Sequence, residues 1–158
     1  MLQHRFIDSA LKNPSKVAFI DRTTLKDVTF NQALLGSLIL SRRFKKLERG
    51  RIGIMLPTSA GAALAVIGSV MGGLTPVMIN YSTGAEKNYV YAQQQCDFKT
   101  VITTRPLLEK TGCPELPGMV FIEDIMAGLI KLEKTLGFIK SKAPVAILKR
   151  LTGSENLS

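Results

Sequence analysis

Near the start of the chain, Phe6, Ile7, Ala10 and Leu11 recur at helical spacing and define one apolar face from about Leu2 to Lys12. Asn13-Pro14 ends that helix, because a residue before proline is pushed out of the helical region. VAFID (17–21) is a short apolar run with branched and aromatic side chains, the pattern of a strand. Thr23 and Thr24 make a turn, and a second strand from about Asp27 to Phe30 can fold back on the first as a hairpin. Asn31 reads as the N-cap of a long helix to about Leu47, with Leu34, Leu35, Leu38 and Ile39 as its buried stripe.

From there strands and helices alternate. RIGIMLP (51–57) is a strand ended by proline, and Thr58 or Ser59 caps the Gly/Ala-rich helix that follows. Gly61, Ala65, Gly68 and Gly72 put a small-residue stripe on that helix, which lets it sit close on a sheet. Gly72-Gly73 stops it before the buried strand TPVMIN (75–80). Ser82 or Thr83 caps a helix through roughly Gln95, KTVITT (99–104) is a strand, Arg105 to Lys110 a short helix, and GMVFIED (118–124) another strand. Such alternation means βαβ units. The expected fold is α/β, a mostly parallel sheet of 51–56, 75–79, 99–103 and 118–122 flanked by helices, with 17–21 and 26–30 as a small antiparallel addition. Residues 1–124 form this α/β subdomain, and 125–158 form a basic amphipathic helical tail leading to a missing remainder.

Composition narrows the class. With 158 residues, 46% hydrophobic and 21% charged, the chain has enough apolar surface for one core, which excludes a disordered or collagen-like protein. The net charge of +9 is uneven. Residues 1–51 carry eleven basic and four acidic side chains, 52–124 four and six, and 125–158 six and two. Two local basic patches with few aromatics between them argue against a nucleic-acid module. Cys96 and Cys113 stand alone, with no disulfide framework or zinc spacing, and favour a reducing compartment. His4, the one histidine, lies too near the chain start to serve as a catalytic base. Met1 to Ala10 is polar and lacks an apolar signal region, so a cytoplasmic setting is expected. The one membrane-span candidate, residues 58–75, is uncharged but holds four glycines between two prolines, and reads as a buried helix.

Candidate chemistry is sparse. No GxxxxGK[ST] and no GxGxxG after a strand is present, and Thr152-Gly153-Ser154-Glu155 is followed by nothing that completes a phosphate loop. Arg42, Arg43, Lys45, Lys46, Arg49 and Arg51 crowd six cations into ten residues. They are either a solvated helix end complementing the macrodipole or a docking patch, centred on Arg42, Arg43, Lys45 and Lys46, for an acidic partner or phosphates. In the tail, Ile125, Leu129, Leu132, Leu136 and Ile139 share one helical face, with lysines largely elsewhere. That face, Leu129, Leu132, Leu136 and Ile139 above all, is turned either to a membrane surface or to a protein core.

Taken in order, NPSKVAFID, VTFNQALLGSLILSRRF, RGRIGIMLPTSAGAALAVIGSVMGGLTPVMIN and FKTVITT resemble the opening of an adenylate-forming (AMP-forming) acyl ligase. Met78-Ile79-Asn80-Tyr81-Ser82-Thr83-Gly84 resembles the acyl-[acyl carrier protein] synthetase part of the bacterial 2-acylglycerophosphoethanolamine acyltransferase/acyl-ACP synthetases. The resemblance covers roughly residues 4–124 well and the tail loosely. It implies a parent enzyme that activates a fatty acid with ATP and Mg²⁺ to an acyl-adenylate, then passes the acyl group to acyl carrier protein or CoA. The family's Gly-rich Pro-Lys phosphate loop, ribose-binding Asp and C-terminal Lys have no counterpart in these residues. No catalytic, cofactor-binding or metal residue is therefore assigned, and the chain is expected to be an inactive N-terminal portion. Apolar faces left by missing subdomains should promote self-association, and a peripheral contact with the inner face of the cell membrane is expected of the basic patches. The rival expectation is a non-catalytic α/β module that binds an acidic partner or membrane surface.

Overall fold

The computed structural model describes residues 2–22 and 25–127. In chain order the elements are α1 (Leu2–Lys12), β1 (Val17–Asp21), β2 (Lys26–Thr29), α2 (Phe30–Leu47), β3 (Arg51–Ile54), α3 (Ala60–Met71), β4 (Thr75–Met78), α4 (Ala85–Cys96), β5 (Val101–Thr103), α5 (Arg105–Thr111), β6 (Met119–Phe121) and α6 (Ile122–Ala127). The last four strands named form a parallel sheet in the order β4-β3-β5-β6, and β1 and β2 pair as an antiparallel hairpin. This is the α/β class that the alternation of elements predicts.

Period two along β3 divides the core. Ile52, Ile54 and Leu56 face Leu40 and Phe44 of α2, Ala62 and Ala65 of α3, and Ile125 of α6. Met55 joins the opposite layer, with Tyr89 of α4 and Leu107 and Leu108 of α5. The handedness of βαβ crossovers accounts for this. The step from β3 to β4 runs one way along the sheet, and the steps from β4 to β5 and from β5 to β6 run the other way. Their helices therefore land on opposite faces. A third cluster, of Ile7, Ala10, Leu34, Leu38 and Met71, fastens α1 onto α2 and α3.

Several boundaries differ from the sequence expectations. The cap of α2 is Thr29 rather than Asn31. Gln32 N–H donates to Thr29 Oγ1 at 3.3 Å, Thr29 N–H donates to Gln32 Oε1 at 2.9 Å, and the helix begins at Phe30. Neither Ser82 nor Thr83 caps α4. Ser82 instead donates its N–H and hydroxyl to Asn80 Oδ1, and Gly84, left-handed at φ 66°, stands at the helix start. Residues 122–124 belong to α6, not to the last strand, because the chain turns into a helix immediately after Phe121.

The small-residue stripe of α3 also serves a different neighbour. A Cβ at Gly68 would lie 2.9 Å from Leu40 Cβ and 3.0 Å from the Ser37 carbonyl, so the close approach is to α2 rather than to the sheet. The uncharged stretch is thus a buried helix, and no helix among the described residues is long and apolar enough to cross a membrane.

One edge of the sheet is β4. Thr75 N–H donates to the Gly50 carbonyl and Ile79 N–H to the Ile54 carbonyl. Strand alternation therefore points Thr75, Val77 and Ile79 at β3, and turns Pro76 and Met78 outward. Proline has no N–H to offer there, and the Asn80 carbonyl beyond it is taken by Asn88 Nδ2 at 2.9 Å.

Candidate functional site

In an open parallel sheet, ligands gather beyond the carboxyl ends of the strands, where neighbouring strands send their chains in opposite directions. Here that place lies between β3 and β5, since β3 leads to β4 and β5 leads to β6. The loop 55–59 and Thr104 border it.

Thr103 at the end of β5 is fully buried, and its Oγ1 finds no partner among the described residues. Thr104 Oγ1 donates to Glu123 Oε1, while Glu123 Oε2 is buried and likewise without a partner among the described residues. Arg105 grips Asp124 through two parallel hydrogen bonds of 2.9 and 2.8 Å, and its guanidinium lies 4.1 Å from the centre of the Phe121 ring. Hydrogen bonding to Arg105 holds the Asp124 carboxyl below its ordinary pKa, and the same bond raises Arg105. These pairs fix the start of α6 to the start of α5. None of them was visible in the sequence, since the partners stand 19 residues apart with no local motif between them.

The nearby helix start is already occupied by protein. Ser59 Oγ accepts the Ala62 N–H at 3.2 Å, and the buried Asp21 carboxylate accepts the Ala60 N–H at 3.1 Å. A carboxylate of the chain itself thus sits where a phosphate would otherwise be drawn to the positive end of α3. An open cavity of about 670 Å³ lies between the start of α4 and the end of α5, lined by Tyr81, Glu86, Lys87, Lys110 and Cys113 among others. Burial pushes the Cys113 thiol above its ordinary pKa, and the charge of Glu86 adds to the rise. No group of three or more His, Cys, Asp or Glu side chains that could hold a metal ion is present among the described residues. With the Asp21 carboxylate seated on the Ala60 N–H, the start of α3 does not fit a nucleotide phosphate.

The basic residues singled out from the sequence lie at the other end of the sheet. Arg42 and Arg43 are half-buried and Lys45 and Lys46 exposed, all on the last turns of α2, which lead directly to the start of β3. Arg43 and Lys46 also border a groove with Asp124 and Ile125. Arg51 Nη1 donates to the Cys96 carbonyl at 3.1 Å and so closes the end of α4. Leu129, Leu132, Leu136 and Ile139 lie outside the described residues.

No protein-family model matches the chain. Solved structures do match its fold. The nonribosomal peptide synthetase FmoA3 (S1046A), bound to alpha-methyl-L-serine-AMP, superposes with a TM-score of 0.68 at 15% identity, covering 82% of this chain and 14% of that one. The N-terminal domain of FACL13 from Mycobacterium tuberculosis, with an inhibitor bound, gives 0.61 at 16%, covering 79% and 34%. O-succinylbenzoate coenzyme A synthetase (MenE) from Bacillus subtilis, in complex with ATP and magnesium ion, gives 0.66 at 15%, covering 80% and 34%. The chain has the fold of the N-terminal part of adenylate-forming ligases. It spans about a third or less of the length of these structures.

Proposed function

We propose that these residues are the N-terminal α/β subdomain of an ATP-dependent fatty acyl ligase. The parent enzyme joins a fatty acid to AMP and passes the acyl group to the phosphopantetheine thiol of acyl carrier protein or CoA. The observation that carries this reading is the shared fold. The β4-β3-β5-β6 sheet and its helices superpose on proteins captured with alpha-methyl-L-serine-AMP and with the acyl-adenylate intermediate OSB-AMP. The choice of fatty acid, and of carrier protein or CoA as acceptor, rests on the resemblance around Asn80-Tyr81-Ser82-Thr83-Gly84.

Adenylate formation places charge on a pentavalent phosphorus and needs convergent N–H donors, cations and a held metal. Among the described residues no group of three or more His, Cys, Asp or Glu side chains could hold a metal ion, and Asp21 already fills the start of α3. In this reading they are scaffold, and the phosphate chemistry belongs to other parts of the parent enzyme. The test is ATP–pyrophosphate exchange by the natural polypeptide that carries these residues, with and without a fatty acid. Exchange that depends on fatty acid is expected, together with none from the 158-residue chain alone. Exchange supported only by an aryl or amino acid would remove the fatty acid, and exchange by the isolated chain would overturn the scaffold role.

A further inference from the structure

The cations at the end of α2 do not stand alone. Glu48, the C-cap of that helix, turns its carboxylate to three backbone N–H groups. Its Oε1 accepts that of Arg49 at 3.0 Å, and its Oε2 accepts those of Lys99 and Thr100. One carboxylate thus draws the backbone of Lys99 up to that of Arg49, although Lys99 stands 51 positions beyond Glu48. Arg51 ties down the same corner through the Cys96 carbonyl. The end of α2, the start of β3 and the approach to β5 therefore gather Lys45, Lys46, Arg49, Arg51 and Lys99 at one end of the molecule, all of them exposed. Arg43 is not part of this surface, being half-buried with its Nε enclosed.

A helix end complementing its macrodipole accounts for Lys45 and Lys46, the basic residues of the last turn. It does not account for Arg49, Arg51 and Lys99, which lie outside the helix. The acids of these segments are Glu48, already engaged with N–H groups, and the exposed Asp97. No carboxylate among the described residues pairs with the side chains of Lys45, Lys46, Arg49 or Lys99. The cluster also lies at the amino ends of β3 and β5, away from the end where ligands of such sheets gather. Its charge is not part of that site.

Charge complementarity calls for an anionic surface, and the surroundings of the cations decide which kind. A bilayer takes up a helix through a free apolar face. Here Leu40 and Phe44 of α2 are buried in the core, and Leu47, 40% exposed, is the one large apolar side chain these segments leave open. Nucleic acid needs rings on which bases stack, and Phe44 and Phe98 are both buried. Cations set around a single apolar side chain suit the polar rim and small anchor of a protein interface. Arg42 stands three and four positions before Lys45 and Lys46, so the three are neighbours on one face of α2. Carboxylates repeated at that same spacing on a partner's helix match them rung by rung. We propose that this cluster is a docking surface for a protein presenting an acidic helix, held by Lys45, Lys46, Arg49 and Lys99 around Leu47. A partner seated there leaves the ligand end of the sheet open. The proposal goes beyond the ligase reading and does not depend on it.

The experiment is fluorescence anisotropy of a labelled, alanine-based helical peptide titrated with the 158-residue chain. One peptide carries its glutamates three and four positions apart on a single face; a second has the same composition with the glutamates spread around the helix. The first should bind more tightly, and its binding should weaken from low to physiological salt. Lys45→Gln/Lys46→Gln should bind it roughly tenfold more weakly and Lys99→Gln roughly threefold, at about one exposed ion pair for each change. Lys26→Gln should bind as the native chain does, because Lys26 pairs with Asp21 at the opposite end of the molecule, where Asp21 meets the start of α3. All three variants should melt as the native chain does, since the side chains replaced are exposed. Equal binding of the two peptides, indifference to salt, native binding by Lys99→Gln, or an equal loss in Lys26→Gln would overturn the proposal. Sedimentation with phosphatidylglycerol vesicles at physiological salt, without peptide binding, would assign the surface to a membrane and overturn it equally.

Discussion

Glu48 at the end of α2 ties down Lys99 at the approach to β5: its Oε2 accepts the Lys99 N–H at 2.8 Å, and the Thr100 N–H at 2.9 Å. Two strand-entry amides, 51 and 52 residues away, thus have one carboxylate as their acceptor. Thr100 is buried, so its N–H would otherwise lack a partner in the core.

The protonation state of Glu48 follows from this. Burial pushes the carboxyl up, but the N–H donors of Arg49, Lys99 and Thr100 outweigh it and hold the pKa below the ordinary value. A carboxylate with a depressed folded pKa adds stability above its unfolded pKa and loses it as pH falls through the folded value. Glu48→Ala should cost about 1–3 kcal/mol at neutral pH, the range for losing an ionised acceptor. The difference in melting temperature between native and variant should shrink as pH drops below about 4.5. A constant gap across that range would show that the charge is not what matters.

Gly68→Ala tests the contact between α2 and α3. The added carbon meets Leu40 Cβ at 2.9 Å and the Ser37 carbonyl at 3.0 Å, so two helices must separate. Overpacking of this kind costs about 1–3 kcal/mol, despite the better helix propensity of alanine. Gly61→Ala, whose added carbon would come no nearer than 3.6 Å to Ser59 Oγ, should be tolerated. Denaturant titration of the two variants separates the positions.

Gly118 is under a harder constraint. Its φ is +94°, and a Cβ there would stand 2.1 Å from the Lys99 carbonyl oxygen, while its own carbonyl accepts the Val101 N–H at 2.9 Å. Gly118→Ala combines backbone strain of about 1–3 kcal/mol with a clash that pushes β6 off β5. It should be the most damaging of the three glycine changes, read as loss of soluble, cooperatively melting protein.

The two cysteines should differ in reactivity. Cys96 is half-buried, whereas Cys113 is buried with its thiol pKa raised. The thiolate is the attacking species. A disulfide reagent at neutral pH should therefore modify Cys96 first, with Cys113 reacting fully only in denaturant. Mass spectrometry of the partly labelled chain identifies the site, and early labelling of Cys113 would contradict the buried placement.

The strand and helix order was legible because each βαβ unit writes its own period: branched apolar runs for strands, and a small or apolar stripe for helices. Capping was less legible. Thr29 and Gln32 carry the spacing of a capping box, yet Asn31 competes as a good cap residue in its own right, and only the pairing decides between them. GMVFIED looks continuous as a strand because nothing in Ile122-Glu123-Asp124 breaks it. The helix there is set by Thr104 and Arg105, which hold those two acids from another element. The same reason hides the candidate site. The Glu48, Arg105 and Asp21 contacts join residues from 19 to 52 apart, and no local pattern encodes them.

Pro76 bears on how the chain behaves in a crowd. Residues 52–85 carry no charge at all, so this stretch lacks the electrostatic repulsion that usually keeps nascent strands apart. A stray strand seeking to add to β4 needs an unbroken row of donors and acceptors. The row is interrupted at Pro76, which has no hydrogen to give, and the Asn80 carbonyl further along is already taken. Copies that meet at β4 find no unbroken row to extend, so the self-association expected from the sequence would have to use another surface. A single imino acid at the rim thereby does the work of gatekeeper that charge does elsewhere.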